Sequence, residues 1–179
     1  MTDQVNTRGL ALEFLLEVEK GALSHVALRG MLERYQYLDK QERAFLTRLC
    51  EGTLERRLEL DAIINHFSKV PVKKQKPVIR NLLRMSVYQL KYMDQVPDSA
   101  VCNEAVRLAQ KKGFGTLKGF VNGVLRSIAR GIEEISFDDL SICYSTPQWI
   151  VDQWVEEYGK DKAVRMLADQ YAKKPVTIR

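Results

Sequence analysis

The chain has 179 residues, of which 45% are hydrophobic and 28% are charged, and its formal net charge is +5. This composition excludes a disordered chain, and no apolar run approaches the roughly 18 residues that are needed to cross a bilayer. The N-terminal residues lack the basic and apolar segments of a signal peptide, so we expect a cytoplasmic protein with no role at a membrane.

Helical patterns begin close to the N-terminus. Residues 8–20 predict a strongly apolar helix that ends at Gly21, and a shorter helix follows Ser24. Asp39 and Glu42 have the spacing of a capping box, which predicts a helix that extends to about residue 57. The apolar periodicity then continues until Pro71 interrupts it.

Prolines mark the beginnings of the next two predicted helices. Pro77 opens a helix with an apolar stripe that extends to Leu90, and Pro97 opens another that ends at Gly113. A further helix follows and continues to about residue 130, with its apolar positions on one side.

The composition changes after Gly131. A short linker precedes a helix for which Thr146 is the expected cap and Pro147 the expected first residue, and a last helix extends to about Tyr171. Pro175 ends the helical pattern, and the β-branched residues that follow are typical of a strand. The chain as a whole is therefore predicted to be all-α.

The charge distribution indicates separate roles for the two parts of the chain. Residues 1–132 contain 22 Lys or Arg and 14 Asp or Glu, whereas residues 133–179 contain 6 and 9. The first part is thus +8 and suits a polyanion, while the second is −3. We expect a domain that binds a polyanion over residues 1–131 and a linker and helical extension over 132–174, while residues 175–179 are either a frayed tail or the start of a truncated following domain.

Residues for metal or nucleophilic chemistry are scarce. Cys50, Cys102 and Cys143 lie far apart among apolar neighbours, and the two histidines complete no metal-ligand spacing. The sequence contains no glycine-rich phosphate loop and no nucleophile elbow. We therefore expect no metal, no cofactor and no catalytic residue in this chain.

Two stretches without acidic residues carry much of the positive charge, residues 70–84 and 105–132. Arg80 and Arg84 fall in one sector of their helix beside Tyr88, and arginine next to an aromatic ring suits phosphates and unstacked bases. We predict that these arginines share an RNA-binding surface with Lys118 and Arg126. The other predicted members of that surface are Lys73, Lys74, Lys76, Lys111, Lys112 and Arg130.

The helix over residues 118–130 has an unusual polar side. Gly119 and Gly123 lie beside Asn122, although glycine in a helix costs about 1 kcal/mol relative to alanine. Either another helix crosses the glycines closely and Asn122 satisfies a buried backbone group, or the bare strip admits a phosphate backbone. We favour the first interpretation, because a central helix of a small bundle is usually covered all round, and we assign structural roles to Asn122 and Asn103.

Several segments, in order, resemble the NusB-like all-α RNA-binding fold. VCNEAVRLAQKKG (101–113) and KGFVNGVLRSI (118–128) are similar to its paired final helices, and RGLALEFL (8–15) and LCEGTLERRLELD (49–61) to earlier ones. The resemblance covers about residues 5–131. It implies a NusB-like helical bundle, here with additional C-terminal helices.

Two branches share this fold. Free-standing NusB-type antitermination factors are similar to the bundle alone, whereas ribosomal RNA cytosine-5 methyltransferases of the RsmB (Sun, Fmu) type continue with a segment similar to STPQWIVDQWVEEYG (145–159). Gln148 stands where that segment usually has an acidic residue. The second branch, which we favour, implies a domain that binds and positions small-subunit ribosomal RNA. A protein interaction module without an RNA role is a third hypothesis.

The same resemblance implies what the parent protein would contain. Its C-terminal methyltransferase domain would use S-adenosylmethionine and a cysteine that follows proline. The cysteines here follow leucine, valine and isoleucine, so none matches that pattern. The resemblance therefore implies an RNA-binding fragment that is not itself an enzyme.

Overall fold

The computed structural model describes residues 6–172, in which every regular element is helical. This confirms the predicted all-α class. The chain divides into two compact units, Met1–Ile135 and Ser136–Arg179. Within the described residues, no helix is both long and apolar enough to span a membrane. The strand predicted after Pro175 lies outside the described residues.

The first unit, described over residues 6–135, contains seven α-helices. They are α1 (Thr7–Glu19), α2 (Ser24–Arg34), α3 (Lys40–Glu55), α4 (Arg57–Phe67), α5 (Pro77–Tyr92), α6 (Asp98–Lys111) and α7 (Lys118–Gly131). Single turns of 3-10 helix lie at Val72–Lys74 and Gly115–Leu117.

Local side-chain chemistry sets several of these boundaries. The backbone N–H of Glu42 donates to Asp39 Oδ1 at 2.7 Å, and the N–H of Asp39 donates to Glu42 Oε2 at 3.1 Å, which confirms the predicted capping box of α3. Asn6 caps α1 by accepting a hydrogen bond from the Gly9 N–H at 3.0 Å. Pro77 is the first residue of α5, where its missing N–H costs nothing.

Helix α5 is the centre of the first unit, and it contacts α1, α3, α4, α6 and α7. Leu82, Leu83 and Val87 of α5 are fully buried. Helix α3 crosses α5 at Gly52, where a Cβ atom would lie only 2.1 Å from the Tyr88 ring. Tyr88 is therefore a buried packing residue, and the prediction that it lies on a polar surface beside Arg80 and Arg84 is wrong.

The second unit, described over residues 136–172, contains α8 (Leu140–Cys143), α9 (Gln148–Tyr158) and α10 (Lys160–Asp169). Thr146 does not cap α9, because its hydroxyl donates to the Tyr144 carbonyl at 3.0 Å. Gly159 separates α9 from α10 with a φ of 81°, a conformation that favours glycine.

Candidate nucleic-acid interface

One side of α7 carries a row of polar residues at i, i+4 spacing, which we call the α7 ridge: Lys118, Asn122, Arg126 and Arg130. The three basic side chains are exposed. Arg126 Nε donates to Asn122 Oδ1 at 3.2 Å, and Arg130 Nε donates to the Arg126 carbonyl at 3.2 Å. Among residues 6–172, no carboxylate forms a salt bridge with any of the three cations.

The two glycines beside this ridge are open to solvent. A Cβ atom on Gly119 or Gly123 would meet no atom of the described residues within 4 Å, apart from the helix's own nearby backbone. The prediction that another helix crosses this strip is therefore wrong. Asn122 is half-buried and pairs with Arg126, so the buried backbone partner expected for it is not what the structure shows.

A cleft of about 560 Å³ lies between α6 and α7, next to the C-terminal half of the ridge. The residues that line it are Asp98, Ser99, Cys102, Asn103, Arg126, Ala129 and Arg130. Asn103 is exposed in this cleft, and the structural role assigned to it stays a prediction. Burial raises the pKa of the Cys102 thiol, and the positive charge of Arg126 opposes that rise.

Arg80 and Arg84 lie in a different cleft, of about 430 Å³. Arg84 binds Asp61 with two hydrogen bonds, from Nε at 2.6 Å and from Nη2 at 2.8 Å, and only 13% of its side chain is exposed. Arg80 forms a salt bridge with Glu19. The residues that line this cleft are Glu19, Arg57, Asp61, Asn65, Val72, Lys73, Arg80 and Arg84.

The guanidinium groups of both arginines thus already have carboxylate partners, and their role in RNA binding stays a prediction. Arg84 also lies 3.6 Å from Glu19, so one glutamate serves both arginines. Burial lowers the pKa of Arg80, and the neighbouring charge of Arg84 lowers it further. The two clefts share no lining residue, and the surface that would join both arginines to Lys118 and Arg126 stays a prediction.

The predicted lysines have different surroundings. Lys73, Lys74 and Lys76 are exposed around the 3-10 turn before α5, and Lys111 is exposed at the end of α6. Lys112 instead forms a salt bridge with Glu13 at 2.9 Å, and its side chain is 29% exposed. The described residues thus leave Lys111 more accessible to a polyanion than Lys112.

Residues 5–130 match the sequence profile of the NusB family. This chain belongs to the NusB family. A transcription antitermination protein NusB from Acidothermus cellulolyticus is 32% identical over 129 residues, which are 72% of this chain and 88% of that protein. A probable ribosomal RNA small subunit methyltransferase B from Bacillus subtilis is 37% identical over 172 residues, which are 91% of this chain and 38% of that protein. The chain thus spans about 38% of the length of this methyltransferase relative.

Solved structures support the NusB fold. A complex of NusB and NusE with double-stranded RNA has a TM-score of 0.64 and 23% identity, and covers 70% of this chain and 94% of that one. A protein designated PH0851 has a TM-score of 0.72 and 15% identity, and covers 96% of this chain and 40% of that one. At sequence identities below 25%, these similarities show a shared fold and nothing about function.

Sequence reasoning missed the acidic side chains of the first unit that form ion pairs with arginines predicted to bind RNA. Glu19 and Asp61 lie outside the acid-free stretches and far from Arg80 and Arg84 along the chain, yet the fold places them against these arginines. It also missed Ser99, which lies in the α6–α7 cleft with Arg126. Helical periodicity does not show which residues of α6 lie next to which residues of α7. Only the tertiary structure shows that Ser99 and Arg126 line the same cleft.

Proposed function

We propose that the first unit binds RNA through the α7 ridge and the α6–α7 cleft. We further propose that the parent protein uses this unit to position small-subunit ribosomal RNA for methylation of a cytosine. The observation that carries the proposal is the open strip formed by Gly119 and Gly123, with exposed cations along it and no carboxylate paired to them among the described residues.

The strip suits a phosphate backbone for two physical reasons. A glycine has no Cβ, so a phosphate can approach the helix more closely there than at other residues. The guanidinium groups of Arg126 and Arg130 can donate paired hydrogen bonds to phosphate oxygens, which fix the position of a strand without reading its sequence. Lys118 would add a further positive charge at the other end of the ridge.

The methyltransferase branch is supported by how much of the chain aligns. The Bacillus subtilis relative aligns with 91% of this chain, whereas the Acidothermus cellulolyticus NusB aligns with 72%. The longer alignment must extend beyond the NusB region at residues 5–130. It thus supports a domain of a ribosomal RNA methyltransferase over a free-standing antitermination factor. The division into domains at 1–131, 132–174 and 175–179, and a cytoplasmic location, are parts of the same proposal.

S-adenosylmethionine is implied for the parent protein by these methyltransferase relatives, but the described residues do not fit it. They form helices and turns, without the glycine-rich loop expected for this cofactor. A nucleophilic cysteine must ionise, whereas burial raises the pKa of both Cys50 and Cys102. Methyl transfer therefore belongs in our proposal to a separate methyltransferase domain of the parent protein, which would be a partner of this unit.

The test is a salt titration with RNA. Arg126→Gln combined with Arg130→Gln should weaken binding of a labelled single-stranded ribosomal RNA oligonucleotide. It should also make the log–log salt dependence shallower by roughly 0.7 for each lost phosphate contact. Fluorescence anisotropy at several salt concentrations measures both quantities, and circular dichroism checks that the fold is retained.

The matched control is Arg34→Gln combined with Lys40→Gln, which removes the same charge from exposed positions on α2 and α3 that form no salt bridge among residues 6–172. This control should change the affinity far less. Equal effects of the two double variants would reject the α7 ridge as the binding surface. Absence of salt-dependent RNA binding by the unaltered protein would instead favour the protein interaction hypothesis.

A further inference from the structure

A small hollow lies among α1, α2 and α3, on residues to which the RNA proposal assigns no role. Its volume is about 230 Å³. The residues that line it are Phe14, Ser24, His25, Leu28, Glu51, Leu54 and Glu55. Phe14 is fully buried and Leu28 is 7% exposed, so two side chains of the hollow belong to the apolar core of the unit.

Two large apolar side chains next in sequence to lining residues of this hollow are exposed to solvent. Leu23 is 65% exposed and Val26 is 56% exposed, and each is adjacent in sequence to a lining residue. Single exposed apolar residues are common on protein surfaces. An exposed pair beside a concave site with an apolar floor is more informative, because such patches mark places where a partner is bound.

The charge around the hollow indicates what that partner is. Glu51 and Glu55 are exposed one turn apart on α3, and neither forms a salt bridge with another residue in the range 6–172. They stand out in a region that carries a net charge of +8 over residues 1–132. Two free carboxylates repel the phosphates of RNA and attract lysine or arginine side chains.

We infer that this hollow docks a basic segment of a protein partner. One leucine- or methionine-sized side chain of the segment enters the hollow against Leu28 and Leu54, and flanking lysines or arginines pair with Glu51 and Glu55. The exposed side chains of Leu23 and Val26 pack against the apolar side of the same segment. The contact is small, so binding is weak and depends on salt.

The test uses three synthetic amphipathic peptides of equal length, composed of leucine and lysine, of leucine and glutamate, or of serine and lysine. Each is titrated into the ¹⁵N-labelled protein, and amide shifts are followed by NMR. The leucine–lysine peptide should shift amides at residues 23–28 and 51–55 at lower concentration than either other peptide, because only it supplies both the apolar and the basic groups.

Two variants test the assignment of the site. Glu51→Gln combined with Glu55→Gln should weaken binding of the leucine–lysine peptide roughly threefold to thirtyfold, since each exposed ion pair contributes up to about fivefold. Val26→Ser should also weaken it. The matched control is Glu133→Gln with Glu134→Gln, which removes two exposed carboxylates elsewhere in the same unit and should leave these shifts unchanged.

Several results would overturn the inference. One is equal binding of the serine–lysine peptide, which would show attraction by charge alone. Another is a set of leucine–lysine shifts that lies wholly outside residues 23–28 and 51–55. A third is displacement of the peptide from these amides by an RNA oligonucleotide that shifts the same residues, which would make RNA the occupant.

Discussion

The open glycine strip of α7 leads to a prediction with opposite signs for stability and for binding. Replacing both Gly119 and Gly123 with alanine should stabilise the protein, because each new Cβ meets no atom of another element among the described residues. Glycine within a helix costs roughly 0.5–1 kcal/mol relative to alanine. Gly119 lies in the first turn of α7, where the effect is smaller, so we expect about 1–1.5 kcal/mol in total.

That gain corresponds to a rise in Tm of about 2–6 °C for a protein of this size. The same two methyl groups stand where a phosphate backbone would approach, so the affinity for RNA should fall about fivefold or more, which is roughly 1 kcal/mol. Urea denaturation followed by circular dichroism gives the free energy of unfolding. Fluorescence anisotropy with the labelled RNA oligonucleotide gives the affinity.

Two single variants serve as controls. Gly30→Ala on α2 also places its Cβ in open space, so it should stabilise the protein without changing RNA affinity. Gly52→Ala should destabilise it by roughly 1–3 kcal/mol, because its Cβ would lie 2.1 Å from the buried Tyr88 ring.

The reasoning about α7 would be refuted if the double alanine variant lost more than about 1 kcal/mol of stability, the mark of a crowded helix contact. Unchanged RNA affinity would separate the glycines from the binding surface and leave only the cations of the ridge to carry the proposal.

Two further predictions concern buried groups. Arg84→Met should lower the free energy of unfolding by roughly 1–3 kcal/mol in urea titrations, because it leaves the half-buried Asp61 without its partner, while Glu19 keeps Arg80. A change within experimental error would show that this pairing contributes nothing to stability. Cys50 is fully buried and its pKa is raised by burial, so it should not react with a thiol reagent until the protein unfolds. Since an exposed thiol in the unfolded chain ionises near pH 8.5 and the buried one does not, Cys50 should make stability fall as the pH rises above that value. Cys50→Ala should weaken this dependence and leave the part that the buried Cys102 contributes, and rapid labelling of native Cys50 would contradict the burial argument.

Much of the helical architecture follows from interactions between residues close together in the chain. The capping box of Asp39 and Glu42, the helix start at Pro77 and the end of α9 at Gly159 each depend on one turn of backbone. Such signals can be read from sequence because the interacting groups are neighbours in any folded state. Thr146 shows the limit of this reasoning, since its hydroxyl found a carbonyl two residues before it instead of capping α9.

What surrounds a helix face could not be read in this way. Helical spacing places Arg84 and Arg126 equally well on polar ridges, yet Arg84 binds Asp61 on α4 while Arg126 remains exposed. The difference depends on which helices pack beside α5 and α7. The residues next to an arginine in sequence do not indicate which helices pack beside it.

The sequence by itself determined the helical class, the helix order and the positions of positive charge, because propensity, capping and composition act over a few residues or over the whole chain. The tertiary structure alone decided that Gly52 is crowded while Gly119 and Gly123 are open. It also decided that Glu19 neutralises Arg80 on a helix far along the chain. Packing brings together groups distant in sequence, and this proximity distinguishes a charge that is paired within the fold from one that is exposed to solvent.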